Sequence, residues 1–250
     1  MKNLSYNNLG RYGRHGNQMF QYAAVYSLAK KLKMKAMANI SASTLKDCFI
    51  LGGVEDGINE AEFGFVEDSF CYDEGVMNIN PTRNTDLLGY YQTPKYFIDH
   101  ENDIRSEFFF KKEIREAAAS KIPDGVLVSL HVRRTDYTVL DHVHKNQTQD
   151  YYQVAMEKFP YHRPVIFSDD IEWCKQNMKW LKNDPVFTSN HPFEDLFLMS
   201  MCNAHIIANS SFSWWGAWLG QGETVAPKNW FGDAGPDKWD DIYCEGWSLV

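Results

Sequence analysis

Residues 131–136 (HVRRTD) bring a histidine, two adjacent arginines and an aspartate together in one short segment. They follow residues 125–130 (GVLVSL), an apolar, β-branched run typical of a buried strand. An arginine guanidinium is always charged, and its N–H donors match phosphate oxygens bidentately. The segment therefore predicts a phosphate-bearing ligand at a strand end, held by Arg133 or Arg134. The alternative is that one arginine pairs with Asp136 on a solvated loop. Since adjacent residues point to opposite sides, each arginine could serve one purpose.

A second polar cluster, Ser168, Asp169 and Asp170, follows the predicted strand 164–167 (PVIF). A carboxylate there can accept hydrogen bonds from the two donors on the edge of guanine. Neighbouring carboxylates also suit Mg²⁺ or Mn²⁺. A third interpretation is capping of the following helix by Ser168 or Asp169. We rank capping and base recognition above metal binding, because the two arginines already supply charge for a diphosphate.

A third cluster follows the predicted strand 205–208 (HIIA), at the start of a predicted helix over 212–219. It offers hydroxyls and backbone N–H groups to an anion at a helix N-terminus. Its members are Ser210, Ser211, Phe212 and Ser213. His142 and His144 lie in the polar stretch 137–149, where a solvated loop is favoured over a metal site.

Near the N-terminus, residues 9–18 are glycine-rich and precede a predicted helix over 19–32. Asn17 is a plausible N-cap for that helix, next to Gly16. A glycine-rich loop before a helix can bind an anion. Taken alone, however, a tight turn with a capped helix is the favoured interpretation. The loop matches neither the phosphate-loop nor the dinucleotide-binding fingerprint.

The strands that position these clusters alternate with helices along the second half of the chain. They are predicted over 126–132, 164–167, 186–188, 205–208 and 224–227. This rhythm indicates an α/β fold with a parallel, doubly wound sheet. The carboxyl ends of parallel strands share one edge, so the three clusters are expected to face a common crevice. We place a domain boundary near residue 122, which gives domains 1–122 and 123–250.

Composition excludes several classes of protein. The 250 residues are 44% hydrophobic and 23% charged, as in an ordinary globular protein. The net charge of −8 argues against general nucleic-acid binding. The five cysteines are scattered, which predicts free thiols and a cytoplasmic location rather than a disulfide framework or a zinc site. No signal peptide and no transmembrane segment are expected.

Four stretches resemble the α1,2-fucosyltransferases of glycosyltransferase family 11, and they span nearly the whole chain. They are residues 16–23 (GNQMFQYA), 131–136 (HVRRTD), 167–170 (FSDD) and 210–219 (SSFSWWGAWL). The second and third are also similar to the wider α1,2-, α1,6- and protein O-fucosyltransferase group. Residues 13–18 (GRHGNQ) are similar to the opening loop of protein O-fucosyltransferases, whereas family 11 more often has Gly-Leu-Gly there.

The resemblance implies a GT-B fold of two Rossmann-like domains that face a cleft. The first domain would bind a glycan acceptor, with a terminal galactose, and the second would bind GDP-β-L-fucose. The reaction would invert the anomeric centre and need neither a metal nor a cofactor. Arg134, or else Arg133, would hold the diphosphate, Asp169 or Asp170 would read guanine, and Ser210, Ser211 and Ser213 would cradle phosphate. Gly16 and Asn17 would approach the donor.

The resemblance leaves the general base open. His131 and Asp136 are expected near the sugar or as organisers of the arginines, and His15 is a third candidate. One rival interpretation is a protein O-fucosyltransferase or a transferase for another GDP-deoxysugar. A second rival is a binding module without turnover, with a lectin-like surface of tryptophans. The helical spacing of Trp214, Trp215 and Trp218 instead favours packing in the core or a cleft wall.

Overall fold

The chain, described over all 250 residues by a computed structural model, divides into two compact units. The first comprises Met1–Lys111 and Asp237–Cys244, and the second comprises Lys112–Pro236 and Glu245–Val250. The predicted boundary near residue 122 lies inside the second unit. The helix at the start of that unit has its Ala118 buried against Leu198 and Met199, so this helix belongs to the second core.

The first unit is a five-stranded sheet with three α-helices. Its strands are β1 (Asn3–Tyr6), β2 (Lys35–Ala38), β3 (Glu55–Asp56), β4 (Phe63–Val66) and β5 (Thr85–Leu88). Its helices are α1 (His15–Lys31), α2 (Leu45–Cys48) and α3 (Glu101–Glu107). All pairings are parallel and the strand order is β3-β2-β1-β5-β4. The order therefore reverses between β1 and β5.

The second unit is a six-stranded parallel sheet with helices between the strands. Its strands are β6 (Leu127–Val132), β7 (Arg163–Ser168), β8 (Val186–Phe187), β9 (Ala204–Ile206), β10 (Glu223–Ala226) and β11 (Ser248–Leu249). Its helices are α4 (Lys112–Ala119), α5 (Gln149–Glu157), α6 (Ile171–Asn177), α7 (Pro192–Ser200) and α8 (Ser211–Gly220). All five strands predicted for this half are present, and the predicted parallel sheet is confirmed.

The strand order of the second sheet is β8-β7-β6-β9-β10-β11. Counted within the unit, this is the order 3-2-1-4-5-6 of dinucleotide-binding sheets. The order reverses between β6 and β9, and ligands of such sheets bind outside the carboxyl ends of the strands at this switch point. All six residues of β6 are buried, which explains their continuous apolar and β-branched character.

The tryptophans of α8 belong to the core. Trp214 and Trp215 have no exposed surface and Trp218 is 5% exposed. Trp247 packs against Trp214 with ring centroids 5.4 Å apart. The lectin-like surface considered from the sequence is therefore not formed by α8, and the prediction of core packing is confirmed. All five cysteines are free thiols, and none of the helices is long and apolar enough to cross a membrane.

Candidate functional site

The charged residues that follow β6 and β7 form one cluster. These strands pair with Val132 opposite Ser168, so the residues after them lie side by side. We call this group the arginine cluster; its members are Arg133, Arg134, Thr135, Asp136, Asp169 and Asp170. The structure thus brings together the first two of the three segments singled out in the sequence.

Arg133 is held by two carboxylates. Its Nη1 lies 2.7 Å from Oδ2 of Asp169, and its Nη2 donates to Oδ1 of Asp136. The guanidinium also lies over the ring of Tyr137, 5.3 Å from the centroid. Only 13% of the side chain is exposed. Arg133 therefore makes the Asp136 pairing that was the alternative in the sequence, within a partly buried network.

The side chain of Arg134 makes fewer polar contacts within the protein than that of Arg133. Its Nε donates to Oδ2 of Asp170 at 3.3 Å, and its guanidinium stacks 3.8 Å from the centre of the Trp173 ring. Neither terminal nitrogen of the guanidinium has a hydrogen-bond partner, and 24% of the side chain is exposed. The stacking fixes the plane of the fork while its outer donors remain available to an anion.

Asp169 organises both arginines. Its Oδ1 accepts the backbone N–H of Arg134 at 2.9 Å, and its Oδ2 forms an ion pair with Arg133 and accepts from the Thr135 hydroxyl. The predicted capping of α6 by Ser168 or Asp169 is wrong. The N-cap is Asp170, whose Oδ1 accepts from the backbone N–H of Trp173 at 3.2 Å. The helix begins at Ile171, as predicted, but Asp169 does not cap it because its carboxylate already binds the arginines.

The third segment, residues 210–213, lies after β9 and forms the start of α8. Ser210 is the N-cap of α8, makes no side-chain capping bond, and no acidic residue lies in the first turn. The N–H groups at the start of a helix lack intrahelical partners and favour anions. The hydroxyl of Ser213, in contrast, donates to Ala208 O and Ser210 O, at 3.4 and 3.3 Å, and is buried. Ser213 thus supports the turn and does not present its hydroxyl outward.

His131 lies between the arginine cluster and α8. Its ring lies 5.8 Å from the ring of Phe212, and its Nδ1 is buried with no hydrogen-bond partner. Burial, together with the nearby Arg133 charge, lowers the pKa of His131 to about 3. The imidazole is therefore neutral over the physiological range. So low a pKa makes it a weak acceptor of protons, since a general base works best with a pKa near the operating pH.

An aromatic brace not identified from the sequence supports Arg133. The ring of Tyr137 stacks on His144 at 4.6 Å and 11°, and His144 lies 5.8 Å from Phe231. The Tyr137 hydroxyl donates to Asn209 O at 3.2 Å, which links the arginine cluster to the residues after β9. His144, set aside as a metal ligand, is thus a stacking partner. The sequence gives no signal for this role, because Tyr137 and His144 lie in an irregular loop and Phe231 comes from a distant segment.

The glycine-rich loop belongs to the first unit. Asn17 is not the N-cap of α1: the helix begins at His15, with Arg14 as its N-cap. The Asn17 amide packs instead against Gly13 (φ +78°), where a Cβ would lie 2.2 Å from Asn17 Nδ2. Its Oδ1 accepts from Nε2 of the buried Gln92 at 2.9 Å. The helix starts early because the turn at Gly13 brings the chain around before Asn17.

Two further residues considered as bases lie in different surroundings. His15 is buried, with Nδ1 2.9 Å from the Thr44 hydroxyl and its ring stacked 5.6 Å from Phe49. Asp136 is 39% exposed and paired with Arg133. Gly16 lies in the first turn of α1 and is buried. No group of three or more His, Cys, Asp or Glu side chains is arranged to hold a metal ion.

Comparison with known proteins gives concordant matches. The sequence profile of glycosyl transferase family 11 matches residues 75–250. The chain is 32% identical to an alpha-1,2-colitosyltransferase of Escherichia coli, across 91% of this chain and 95% of that protein. It is 29% identical to galactoside alpha-(1,2)-fucosyltransferase 2 of Bos taurus, across 87% of this chain and 70% of that protein.

A solved structure gives the same fold at low sequence identity. The crystal structure of POFUT1 in complex with GDP-fucose superimposes with a TM-score of 0.59 at 12% identity. The superposition covers 90% of this chain and 97% of that one. The likeness concerns the α/β fold with its parallel sheets.

Proposed function

Since this chain belongs to glycosyltransferase family 11, we propose that it transfers L-fucose from GDP-β-L-fucose to the 2-hydroxyl of a galactoside. The observation that carries the proposal is the arginine cluster at the end of β6, the strand that borders the switch point of a dinucleotide-type sheet. This is where such sheets bind nucleotides. The cluster offers a guanidinium that is fixed in orientation, yet keeps its outer donors unpaired.

The donor diphosphate would lie between Arg134 and the start of α8. The two terminal nitrogens of Arg134 would bind diphosphate oxygens as a fork. Ser210 and Ser211, with backbone N–H groups of the first helical turn, would bind the same anion from the α8 side. Ser213 and Phe212 would act indirectly, because the Ser213 hydroxyl bonds the turn and the Phe212 ring packs on His131.

Guanine recognition is assigned to Asp170. Both oxygens of Asp169 already accept from the arginine cluster, and its side chain is 21% exposed. Asp170 is more exposed, at 37%, and accepts only from Trp173 N–H and Arg134 Nε. Its carboxylate can therefore accept further donors, and guanine offers two on one edge. Ser168 would hold Asp170 in place, since its hydroxyl accepts the Asp170 N–H at 3.0 Å.

Cleavage of the bond between fucose and phosphate places negative charge on the β-phosphate. An arginine that binds the oxygens of the β-phosphate stabilises this charge in the transition state. Such electrostatic contributions are usually the largest in catalysis. Inversion follows when the acceptor hydroxyl attacks from the opposite face, with no metal required. Of the candidate bases, Asp136 is the only one that is both exposed and a carboxylate, whereas His131 is a poor base. The first unit would bind the acceptor, whereas its Gly16 and Asn17 would contact the donor.

A second candidate donor is GDP-colitose. The E. coli relative at 32% identity is an alpha-1,2-colitosyltransferase. Colitose is L-fucose without the 3-hydroxyl, so both donors would present the same GDP to the arginine cluster. The choice between them depends on contacts to that hydroxyl and is decided by measuring kcat/KM with each donor.

The test is GDP release from GDP-fucose in the presence of EDTA, with and without lactose or N-acetyllactosamine. Acceptor-dependent release that survives the chelator is the expected result. Chemical linkage analysis of the product should give an α1,2 bond. Release from GDP-colitose alone would move the donor assignment to the second candidate. The proposal would be contradicted if the protein released no GDP and also failed to bind GDP in calorimetry.

A further inference from the structure

The second feature of interest lies at the switch point of the first sheet. The strand order reverses between β1 and β5, and the segments that leave their carboxyl ends are the glycine-rich loop and residues 89–92. Ligands of open parallel sheets bind at this kind of edge. Residues 89–92 (GYYQ) therefore follow β5 as residues 207–210 follow β9 in the second unit, on the strand across the reversal.

The backbone of this segment has an unusual conformation that a carboxylate holds in place. Gly89 has φ +153° and Tyr91 has φ +54°, a region that non-glycine residues rarely adopt. Oε2 of Glu67, which follows β4, accepts the N–H groups of both Tyr90 and Tyr91 at 2.8 Å. The Tyr6 hydroxyl donates to Gly89 O. These contacts offset the cost of the turn.

The turn sends two adjacent tyrosines in opposite directions. Tyr91 has no exposed surface and packs in the core against Tyr6 and Tyr96, with ring centroids 6.2 and 5.0 Å apart. Tyr90 is 36% exposed and stacks on Phe70, with ring centroids 5.7 Å apart and an interplanar angle of 20°. The fold thus presents a nearly parallel aromatic pair, which we call the aromatic shelf.

The aromatic shelf is connected to the glycine-rich loop. The Gln21 amide donates to both Tyr12 O and Gly89 O, at 3.2 and 3.4 Å. The next residue after the tyrosines, Gln92, donates to Asn17. The segment that carries Tyr90, Asn17 and the loop therefore form one hydrogen-bonded edge, whose glutamine amides are buried and hold the turn in place.

We propose that the aromatic shelf, Phe70 and Tyr90, binds a pyranose ring of the acceptor, with Glu67 as the positioning residue that sets the shelf. This rests on the proposed function. A neutral sugar presents C–H groups on one face and hydroxyls at its edge. The negative face of an aromatic ring packs against the C–H groups, and the Tyr90 hydroxyl can form a hydrogen bond with the sugar hydroxyls. A neutral acceptor needs no guanidinium, unlike a diphosphate.

The first experiment compares Tyr90→Ala and Phe70→Ala with Phe63→Ala. Phe63 is a matched control, since it is 47% exposed in the same unit, at the start of β4. We expect the KM for lactose to rise about tenfold in the two shelf variants, while the KM for GDP-fucose stays within about twofold. Tyr90→Trp should preserve the acceptor KM, because it keeps an aromatic face. Unchanged acceptor KM in both shelf variants would overturn the proposal.

The second experiment tests Glu67. Glu67→Leu removes the acceptor of two backbone N–H groups, so it should raise the lactose KM as Tyr90→Ala does, with the donor KM unchanged. Glu67→Gln keeps an accepting oxygen and should restore the wild-type value. A loss of kcat with both KM values unchanged, or an equal rise in both, would mean that Glu67 supports the fold alone.

Direct binding separates this proposal from the proposed function. Saturation-transfer NMR with lactose and the GDP-loaded protein reports acceptor contact without turnover. Lactose binding that Tyr90→Ala removes would support the shelf even if the wild type transferred no fucose. Fucose transfer by the wild type, together with lactose binding that survives in Tyr90→Ala, would overturn the shelf and leave the proposed function standing.

Discussion

The two sheets reverse their strand order in the same way, yet the edges at the two reversals carry different chemistry. After β6 and β7, ion pairs between arginines and aspartates dominate, and two guanidiniums are fixed by carboxylates and aromatic rings. After β1 and β5, backbone N–H groups, amides and tyrosines dominate, around one partly buried carboxylate. The same topology therefore supports one edge held by ion pairs between side chains, the charged edge, and one edge held by hydrogen bonds to backbone and amide groups.

The difference is what a two-substrate transferase requires. A nucleotide diphosphate needs positive charge that is already oriented, because reorientation during the reaction would cost free energy. A neutral acceptor needs shape, C–H contacts and hydrogen bonds. Each edge stabilises its own geometry: Asp169 orients the arginines, and Glu67 orients the tyrosines. The functions of the two edges can therefore be tested separately, with substitutions that change one edge and leave the other intact.

The largest effect is expected at Arg134. Arg134→Ala removes the fork proposed to stabilise the departing diphosphate, so kcat/KM should fall about 10²- to 10³-fold. The melting temperature should change little, because the guanidinium makes one ion pair and one stacking contact. Steady-state GDP release and a thermal melt measure the two quantities.

Arg163→Ala is the matched control, since Arg163 pairs with the exposed Asp184 in the same unit. Its activity should be that of the wild type. A folded Arg134→Ala protein with undiminished transfer would remove Arg134 from its assigned role.

The next effect is on stability and concerns Asp169. Asp169→Ala leaves Arg133 without one of its two carboxylates and Arg134 N–H without an acceptor, so unfolding free energy should fall by about 1–3 kcal/mol. Asp184→Ala removes an exposed pair and should cost less than about 0.5 kcal/mol. Urea unfolding compares them, and equal losses would show that the arginine cluster is no better organised than a surface ion pair.

The first sheet should respond to pH through Glu67. Burial raises the pKa of the Glu67 carboxyl from 4.5 to about 7. Between these two pH values the folded protein keeps the proton that the unfolded chain has lost. The contribution of the protonated carboxyl to the free energy of unfolding is therefore complete below about pH 4.5 and is lost as the pH rises to about 7. The glutamine of Glu67→Gln does not titrate. The unfolding free energy of this variant, measured relative to that of the wild type, should therefore rise by about 1–3 kcal/mol between pH 4 and pH 8. Urea midpoints at both pH values check this; a pH-independent difference would contradict it.

The smallest effects are expected for the serines that open α8. Ser210→Ala should raise the KM for GDP-fucose about threefold, because a hydroxyl proposed to bind phosphate is lost. Ser213→Ala should leave that KM unchanged and lower stability by about 0.5–1 kcal/mol, since its hydroxyl bonds the turn internally. If Ser213→Ala raised the KM for GDP-fucose and Ser210→Ala only lowered stability, Ser213 would be the residue that contacts the donor.

Sequence reasoning located the second sheet well for a physical reason. Parallel strands buried on both faces are continuous apolar runs, and polar residues at their ends stand out against them. Residues 131–136 and 168–170 can therefore be identified from the sequence alone. The strands β3 and β4 of the first sheet were not, because they are short, lie near the sheet edges and are largely exposed. They carry no apolar run to detect.

Local capping rules failed where long-range partners compete. Asn17 has the right chemistry for an N-cap, yet its amide is used by Gly13 and Gln92. Asp169 was a plausible cap of α6, yet the arginines after β6 recruit it. Glu67 and the brace of Tyr137 and His144 were missed altogether. Their roles depend on residues distant in sequence, which composition and spacing do not encode.

If Arg134 is the diphosphate fork of the charged edge, it should determine how strongly the protein prefers GDP to GMP, and calorimetry with the two nucleotides measures that preference. GDP and GMP share guanosine and the α-phosphate and differ only in the β-phosphate, so their affinity ratio isolates the contact to the β-phosphate. The wild type should bind GDP at least about tenfold more tightly than GMP, and Arg134→Ala should bind both with nearly the affinity of GMP. An Arg134→Ala protein that retains the wild-type preference for GDP would contradict the account.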